Sequence, residues 1–261
     1  AALDSECHTL LTSPRVSRLI ERAQASEAQL EDWQLANLRE MRRERDRAIA
    51  TPISLVSRLA RATAVAEVRW LEAKQESNFA LFAPHLEEVV ALTRDKAQVL
   101  SQALGISPYD ALIDGFSPGF PSAEIDKLFR ALSRRLPELI HEAIELQARR
   151  PPLPIAGKVS PSKQRALSID VMRALGFPFD RGRFDESDHP FTEGVNGDVR
   201  VTTRFVPQEP FTGLMGALHE TGQALYDLGL PEEWRDQPVG RDRGMALEES
   251  QSLLLEMIIG R

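Results

Sequence analysis

Through the first 150 positions, apolar residues recur every three or four places in text rich in Ala, Leu, Glu and Arg. That spacing puts them on one face of an α-helix. It predicts helices over 14–24, 26–49, 52–79, 84–104, 107–113 and 121–149. Pro14, Pro52, Pro84, Pro108 and Pro121 fall at or near the helix starts, where a missing N–H costs least. Gly105 suits a helix end. Pro137 lies inside the last segment and predicts a kink or a split there. Another helix is expected from Ser162 to about Leu175, closed by Gly176 and Pro178.

The pattern changes after Gly182. Pro, Gly and Asp become frequent, and Asp198–Val206 alternates Val, Thr and Phe with charged residues, which is a strand signal. Helical spacing returns over Glu209–Gly229. Glu248 and Glu249 then open an apolar run (Leu253, Leu254, Leu255, Met257, Ile258, Ile259) that reads as a buried helix. The expected fold is mainly α, with a small antiparallel sheet. Its helical part spans 1–150, and 151–261 carries the strand and two further helices, as one continuous domain. The chain shows neither an internal repeat nor a low-complexity stretch.

Composition narrows the classes. Of the 261 residues, 42% are hydrophobic and 27% charged, enough for a sizeable core. One cysteine, Cys7, excludes an internal disulfide and suits a reducing compartment, so a cytoplasmic location is expected. No apolar run reaches the roughly 20 residues of a membrane span. Ala1–Ser13 lacks the basic start and apolar stretch of a signal peptide. A net charge of −7 argues against general nucleic-acid binding. The dense charges from Arg39 to Arg47 read as a solvated helix face. His8, His85 and His141 read as surface or packing residues, and Tyr226 as a packing residue of its helix.

The chemistry concentrates at His219-Glu220-Thr221-Gly222-Gln223. A zinc-peptidase helix carries His-Glu-x-x-His, with two imidazoles one turn apart and the Glu as general base. Here the first His and the Glu are in place and Gln223 stands at the second His. Positions 219 and 223 share a helix face. The Gln223 carbonyl is a weak, neutral ligand better suited to hard cations, and its amide can instead hydrogen-bond a neighbouring carboxylate or water. Glu248 and Glu249 offer a further ligand, and neighbouring helix positions diverge by about 100°, so one of them faces a metal held by His219.

Four ordered segments extend this reading: His189-Pro190-Phe191, Asp198-x-Arg200-x-Thr202, His219-Glu220-x-x-Gln223 and Glu248-Glu249-Ser250-Gln251-Ser252. Together with Ser107–Leu112 and Gln237–Gly240, the chain resembles the carboxypeptidase Taq family of metallocarboxypeptidases over most of its length. The family motifs carry histidines where Gln223 and Glu248 stand. The resemblance implies a helical peptidase fold with a deep active-site groove, and removal of C-terminal residues from peptides by metal-activated water. It implies zinc or cobalt, one per chain, with His219 and Glu249 as ligands, Gln223 at a degenerate ligand position and Glu220 as general base. His189, Asp198, Arg200 and Thr202 are expected to line the groove or support the metal helix. The substrate is expected as an added strand along Asp198–Val206. A homodimer is implied as well. Two later family motifs do not occur before Arg261, so the chain reads as partial-length. The alternative is a metal-free homologue that keeps a peptide-binding groove without cleaving.

Overall fold

A computed structural model describes residues 2–149, 157–195 and 197–259. The division expected between 150 and 151 lies outside those residues, as does Arg261. The chain packs as two compact units. One gathers Ala1–Gly115, Gly119–Ser122 and Gln237–Val239, and the other Phe116–Pro118, Ala123–Asp236 and Gly240–Arg261.

The first unit is helical: α1 (Ala2–Leu11), α2 (Pro14–Gln24), α3 (Asp32–Ala50), α4 (Ile53–Gln75), α5 (Phe79–Leu104) and α6 (Pro108–Ile113). The periodicity located α2 to α6, with shifted starts. The 26–49 segment resolves into a 3-10 turn at Glu27–Gln29 and α3, while α5 begins at Phe79 and holds Pro84 inside it. Helix α1 was not expected. His8 anchors it, its Nε2 lying 2.9 Å from the Ala48 carbonyl and 2.8 Å from that of Thr51, both at the C-terminal end of α3. The Ala48 carbonyl also accepts from the Thr51 N–H at 3.1 Å, and the ring adds the further donor that carbonyls at a helix end lack, so His8 serves α3 rather than the surface. Leu55 and Ala62 of α4 meet Leu92 of α5 in the core, flanked by Leu59, Val89 and Val99.

The charge run on α3 is not simply a solvated face. Arg47 pairs with Asp114 at 2.8 Å and donates to the Ala111 carbonyl at 3.0 Å. Arg43 reaches the same carboxylate at 3.5 Å, and Arg45 donates to Ser17 at 2.8 Å. Alternate arginines thus fasten α2 and the end of α6 to α3.

The second unit holds most of α7 (Ser122–Arg149), then α8 (Pro161–Ala174), β1 (Gly182–Glu186), β2 (Phe191–Val195), β3 (Asp198–Thr203), α9 (Pro210–Leu228) and α10 (Met245–Ile259). Pro137 does not split α7. The Ser133 turn whose carbonyl it displaces is exposed, so that carbonyl stays open to solvent.

The strands form one sheet in the order β1-β3-β2. Only the β2–β3 pair is antiparallel, and β1 runs parallel to β3, so the sheet is mixed rather than wholly antiparallel. The short connection through Gly197 reverses β2 into β3, and Gly197 adopts a φ of 89°, which favours glycine. Strand β3 is therefore central and paired along both edges. This corrects the expectation that a peptide lies along it; β2 and β1 own the free edges. The core joins Phe184 of β1, Val199 and Val201 of β3, Phe205, Met172 of α8, and Ala217 and Ala224 of α9, with Phe177. Phe184 and Phe205 meet edge to face at 6.1 Å.

Candidate metal and catalytic site

The candidate site lies wholly within the second unit, on the facing sides of α9 and α10. Gly222 makes their approach close. A Cβ there would stand 2.6 Å from the Ser252 Cα and 2.8 Å from the Gln251 carbonyl oxygen. Only a residue without a side chain lets the backbone of α10 come so near. Ser252 is fully buried at this crossing, and α10 thereby carries its carboxylates to His219.

Two carboxylates bracket the His219 ring. Its Nδ1 lies 2.5 Å from Glu256 Oε1, and its Nε2 lies 3.2 Å from Glu249 Oε2. An ionised carboxylate only accepts, so Nδ1–H donates to Glu256. A hydrogen-bonded carboxylate behind a histidine fixes the ring and its tautomer, the usual support of a metal-binding imidazole. Nε2 is left facing Glu249 and Gln223. The Gln223 amide nitrogen lies 3.4 Å from His219 Nε2 and 3.4 Å from Glu249 Oε1.

These spacings test the fit to a metal. Ligand atoms 2.0–2.1 Å from a tetrahedral zinc stand about 3.3 Å from one another, and the 3.2 Å between His219 Nε2 and Glu249 Oε2 matches that, while Gln223 approaches both residues through its amide nitrogen. Among the described residues, no group of three or more His, Cys, Asp or Glu side chains could hold a metal ion. Gln223 is the side chain beside His219 and Glu249 that could add a third protein donor. It presents N–H as described, and the same side chain turned over presents its oxygen. One imidazole nitrogen, one carboxylate and one amide oxygen fit a divalent ion, with a weaker third donor than a second imidazole.

Glu220 sits beside this triangle and is 6% exposed. Burial pushes its carboxyl above the usual range. A hydrogen bond from Thr192 and the nearby His219 oppose the rise, Glu249 adds to it, and His189 opposes it weakly. The Thr192 hydroxyl lies 2.8 Å from Glu220 Oε2 and 2.9 Å from the Glu220 carbonyl oxygen, so its single proton serves both. Strand β2 thus grips Glu220 directly.

Glu248 looks elsewhere. Burial raises its carboxyl first, and then Asp227 and Asp242 repel its charge. Of the adjacent pair, Glu249 is the one that meets His219.

The remaining expected residues separate. His189 lies in the β1–β2 loop, where its carbonyl accepts from Ser187 at 2.6 Å. Thr202 fastens that loop: its hydroxyl is 2.6 Å from Ser187 Oγ and accepts from the Phe191 N–H at 3.1 Å. Asp198 and Arg200 pair with each other at 2.5 Å in an exposed position on β3. No described bond joins either to His219, Glu220 or Glu249. Sequence reasoning missed Glu256 and Thr192. Glu256 had a signal, since it follows Glu249 by two helical turns and shares its face. Thr192 had none beyond its place after His189-Pro190-Phe191.

The sequence model for the carboxypeptidase Taq (M32) metallopeptidases matches residues 1–261. Thermostable carboxypeptidase 1 of Thermus thermophilus is 36% identical over 273 residues, covering 100% of this chain and 53% of that protein. Carboxypeptidase 1 of Bacillus subtilis is 37% identical, covering 75% of this chain and 39% of its own length. The solved metallocarboxypeptidase 1 of Trypanosoma cruzi superposes with a TM-score of 0.87 at 38% identity, over 97% of this chain and 51% of that one. The chain thus spans about half the length of the relatives it matches. With the helical fold, the sheet and the His219–Glu249 pairing in place, it belongs to the carboxypeptidase Taq (M32) family of metallopeptidases.

Proposed function

We propose that this chain supplies the metal-binding and general-base half of a metallocarboxypeptidase that releases single residues from peptide C-termini. The carrying observation is the convergence of His219 and Glu249 at 3.2 Å, with Glu256 holding the far side of the imidazole. His219 Nε2, a Glu249 oxygen and the Gln223 oxygen would hold one divalent ion, zinc or cobalt by the family resemblance. When bound, such an ion supplies Lewis acidity toward a carbonyl and toward water.

The chain's own residues do the rest. Glu220, pushed above the ordinary carboxylate range by burial, is a base strong enough to take the proton of the attacking water and pass it to the leaving amine. Thr192 holds Glu220 Oε2 and so fixes where that proton is received. The free edge of β2 offers backbone N–H and C=O groups to an extended peptide, a mode that reads no side chains and suits broad specificity. His189, in the loop that leads into β2, would border that edge, while Asp198 and Arg200 stand on β3, across β2 from it. A cytoplasmic homodimer completes the reading by resemblance. Among the described residues no helix is long and apolar enough to cross a membrane.

A second reading rests on Gln223. Its N–H groups face both His219 and Glu249, which gives each of them a hydrogen-bond donor without a metal. A non-catalytic homologue that binds peptide termini would keep this arrangement. Zinc and cobalt content after dialysis against trace metal, followed by hydrolysis of an N-blocked peptide, separates the two. About one equivalent, lost to a chelator along with activity, supports the peptidase. Metal-free protein that still binds the peptide supports the second reading and sinks the first.

A further inference from the structure

We propose that Gln223 retunes this centre away from zinc and toward harder, oxygen-preferring divalent cations, with Mn2+ as the test case. The inference rests on the reading of His219 and Glu249 as ligands and concerns which ion they accept.

The geometry singles out Gln223. Its amide nitrogen is 3.4 Å from His219 Nε2 and 3.4 Å from Glu249 Oε1, while Glu249 turns its other oxygen to His219 at 3.2 Å, so the Gln223 amide stands against both candidate ligands. Its nitrogen and oxygen ends have nearly the same shape. With nitrogen inward, the side chain donates to two acceptors and the cluster closes on itself. With oxygen inward, the same side chain becomes a neutral oxygen donor at the same distance. Ion entry therefore requires one amide rotation and two exchanged hydrogen bonds, with no movement of α9 against α10.

The donor count decides the preference. A centre of two imidazoles and one carboxylate offers two nitrogens and one oxygen, a set that suits zinc. Here the set is one nitrogen and two oxygens. Hard cations such as Mn2+ and Mg2+ lose little when imidazole gives way to a carbonyl oxygen, while zinc loses a ligand of the type it favours. Zinc remains the stronger binder in absolute affinity by the general order of divalent metals. What Gln223 compresses is the ratio between the two. Glu256 reinforces the effect, because its hold on Nδ1 leaves His219 Nε2 as the lone nitrogen donor.

The test uses the 261-residue chain, freed of metal and titrated calorimetrically with Zn2+ and separately with Mn2+. Mn2+ binding is checked independently by the loss of its free-ion EPR signal. Wild type is compared with Gln223→His and with Gln223→Leu, each verified as folded by circular dichroism. The expected result is that Gln223→His tightens Zn2+ about 100-fold or more and Mn2+ less than about tenfold. Gln223→Leu should weaken Mn2+ at least about tenfold, because a donor is removed. An unchanged Zn2+ to Mn2+ ratio in Gln223→His overturns the proposal, as does Mn2+ binding untouched in Gln223→Leu. If wild type binds neither ion and Gln223→His binds zinc, the proposal falls while the family site stands. If no variant binds either ion, the ligand reading itself falls with it.

Discussion

Two helix pairs in this protein solve the same packing problem differently. In the first unit, α4 and α5 close on an apolar seam of Leu55, Ala62 and Leu92, flanked by Leu59, Val89 and Val99. In the second, α9 and α10 close on backbone, where Gly222 meets Ser252, and the space beside the crossing is filled by His219, Gln223, Glu249 and Glu256. The apolar seam draws its stability from area removed from water and tolerates conservative exchange. The polar pair depends on matched donors and acceptors around His219, because an unmatched buried group costs more than a matched one returns, and the Ser252 hydroxyl at the crossing has no partner among the described residues. A helix pair that carries chemistry is thus specified by one small residue and a few polar ones, and a helix pair that carries only stability by its spacing.

The largest contrast comes from the apolar seam. Leu92 is 1% exposed, and Leu92→Ala should cost about 2–5 kcal/mol of unfolding free energy. Denaturant titration measures that loss, while calorimetry on the folded protein should show metal affinity unchanged. A fall in metal affinity there would erase the distinction between the pairs. Gly222→Ala is the reciprocal experiment. Its new Cβ would meet Ser252 Cα at 2.6 Å, so α10 must retreat, at a cost of about 1–3 kcal/mol. Here metal binding should be lost along with stability, since Glu249 and Glu256 both move with α10. Retained metal affinity would show that the crossing does not set the ligand distances.

The same contrast explains what the sequence disclosed. Helices α2 to α6, α8 and α9 were legible because their apolar faces repeat at helical spacing. Helix α1 was not, because its anchor is one histidine reaching the carbonyls of Ala48 and Thr51, some 40 positions away. The sheet was half legible: the alternation in β3 was visible, while the parallel pairing with β1 depends on partners distant in sequence. That pairing moved the free edge from β3 to β2. At the site, His219, Glu220, Gln223 and Glu249 were readable from helical spacing and motif, and the structure brings them together. Glu256 escaped because it looks like one more polar residue on an apolar helix. The ion pair of Asp198 and Arg200 shows the converse, since motif membership placed it near the metal helix and its described bond is internal to β3.

Glu256→Gln sharpens the comparison from within the polar pair. The change keeps shape and removes the charge behind the imidazole. Metal affinity should fall about 10–100-fold, as is typical for such supporting residues, with the thermal midpoint nearly unchanged. Calorimetry and a melting curve on the same sample test both halves. An equal loss in Glu256→Gln and in Glu256→Ala would mean that the carboxylate charge matters more than the position of the ring.

The smallest expected effect lies one turn past Gln223, at Asp227. Burial, and then the charge of Asp242, raises its carboxyl above the ordinary value of 3.8. Glu248, itself raised, also feels Asp227. A raised carboxyl means that the folded protein holds the proton more tightly than the unfolded chain does. Stability from this group is then greatest in acid and falls as pH rises through the folded-state value. At neutral pH the ionised Asp227 costs stability that an amide of the same shape would not. Asp227→Asn should therefore raise the melting midpoint at pH 7–8, and the gain should shrink as pH falls below 3.8, where the carboxyl is protonated in the folded and the unfolded chain alike. Melting curves across that range decide it. A gain independent of pH would trace the effect to packing. A loss at neutral pH would mean that the Asp227 carboxylate is held by a favourable partner.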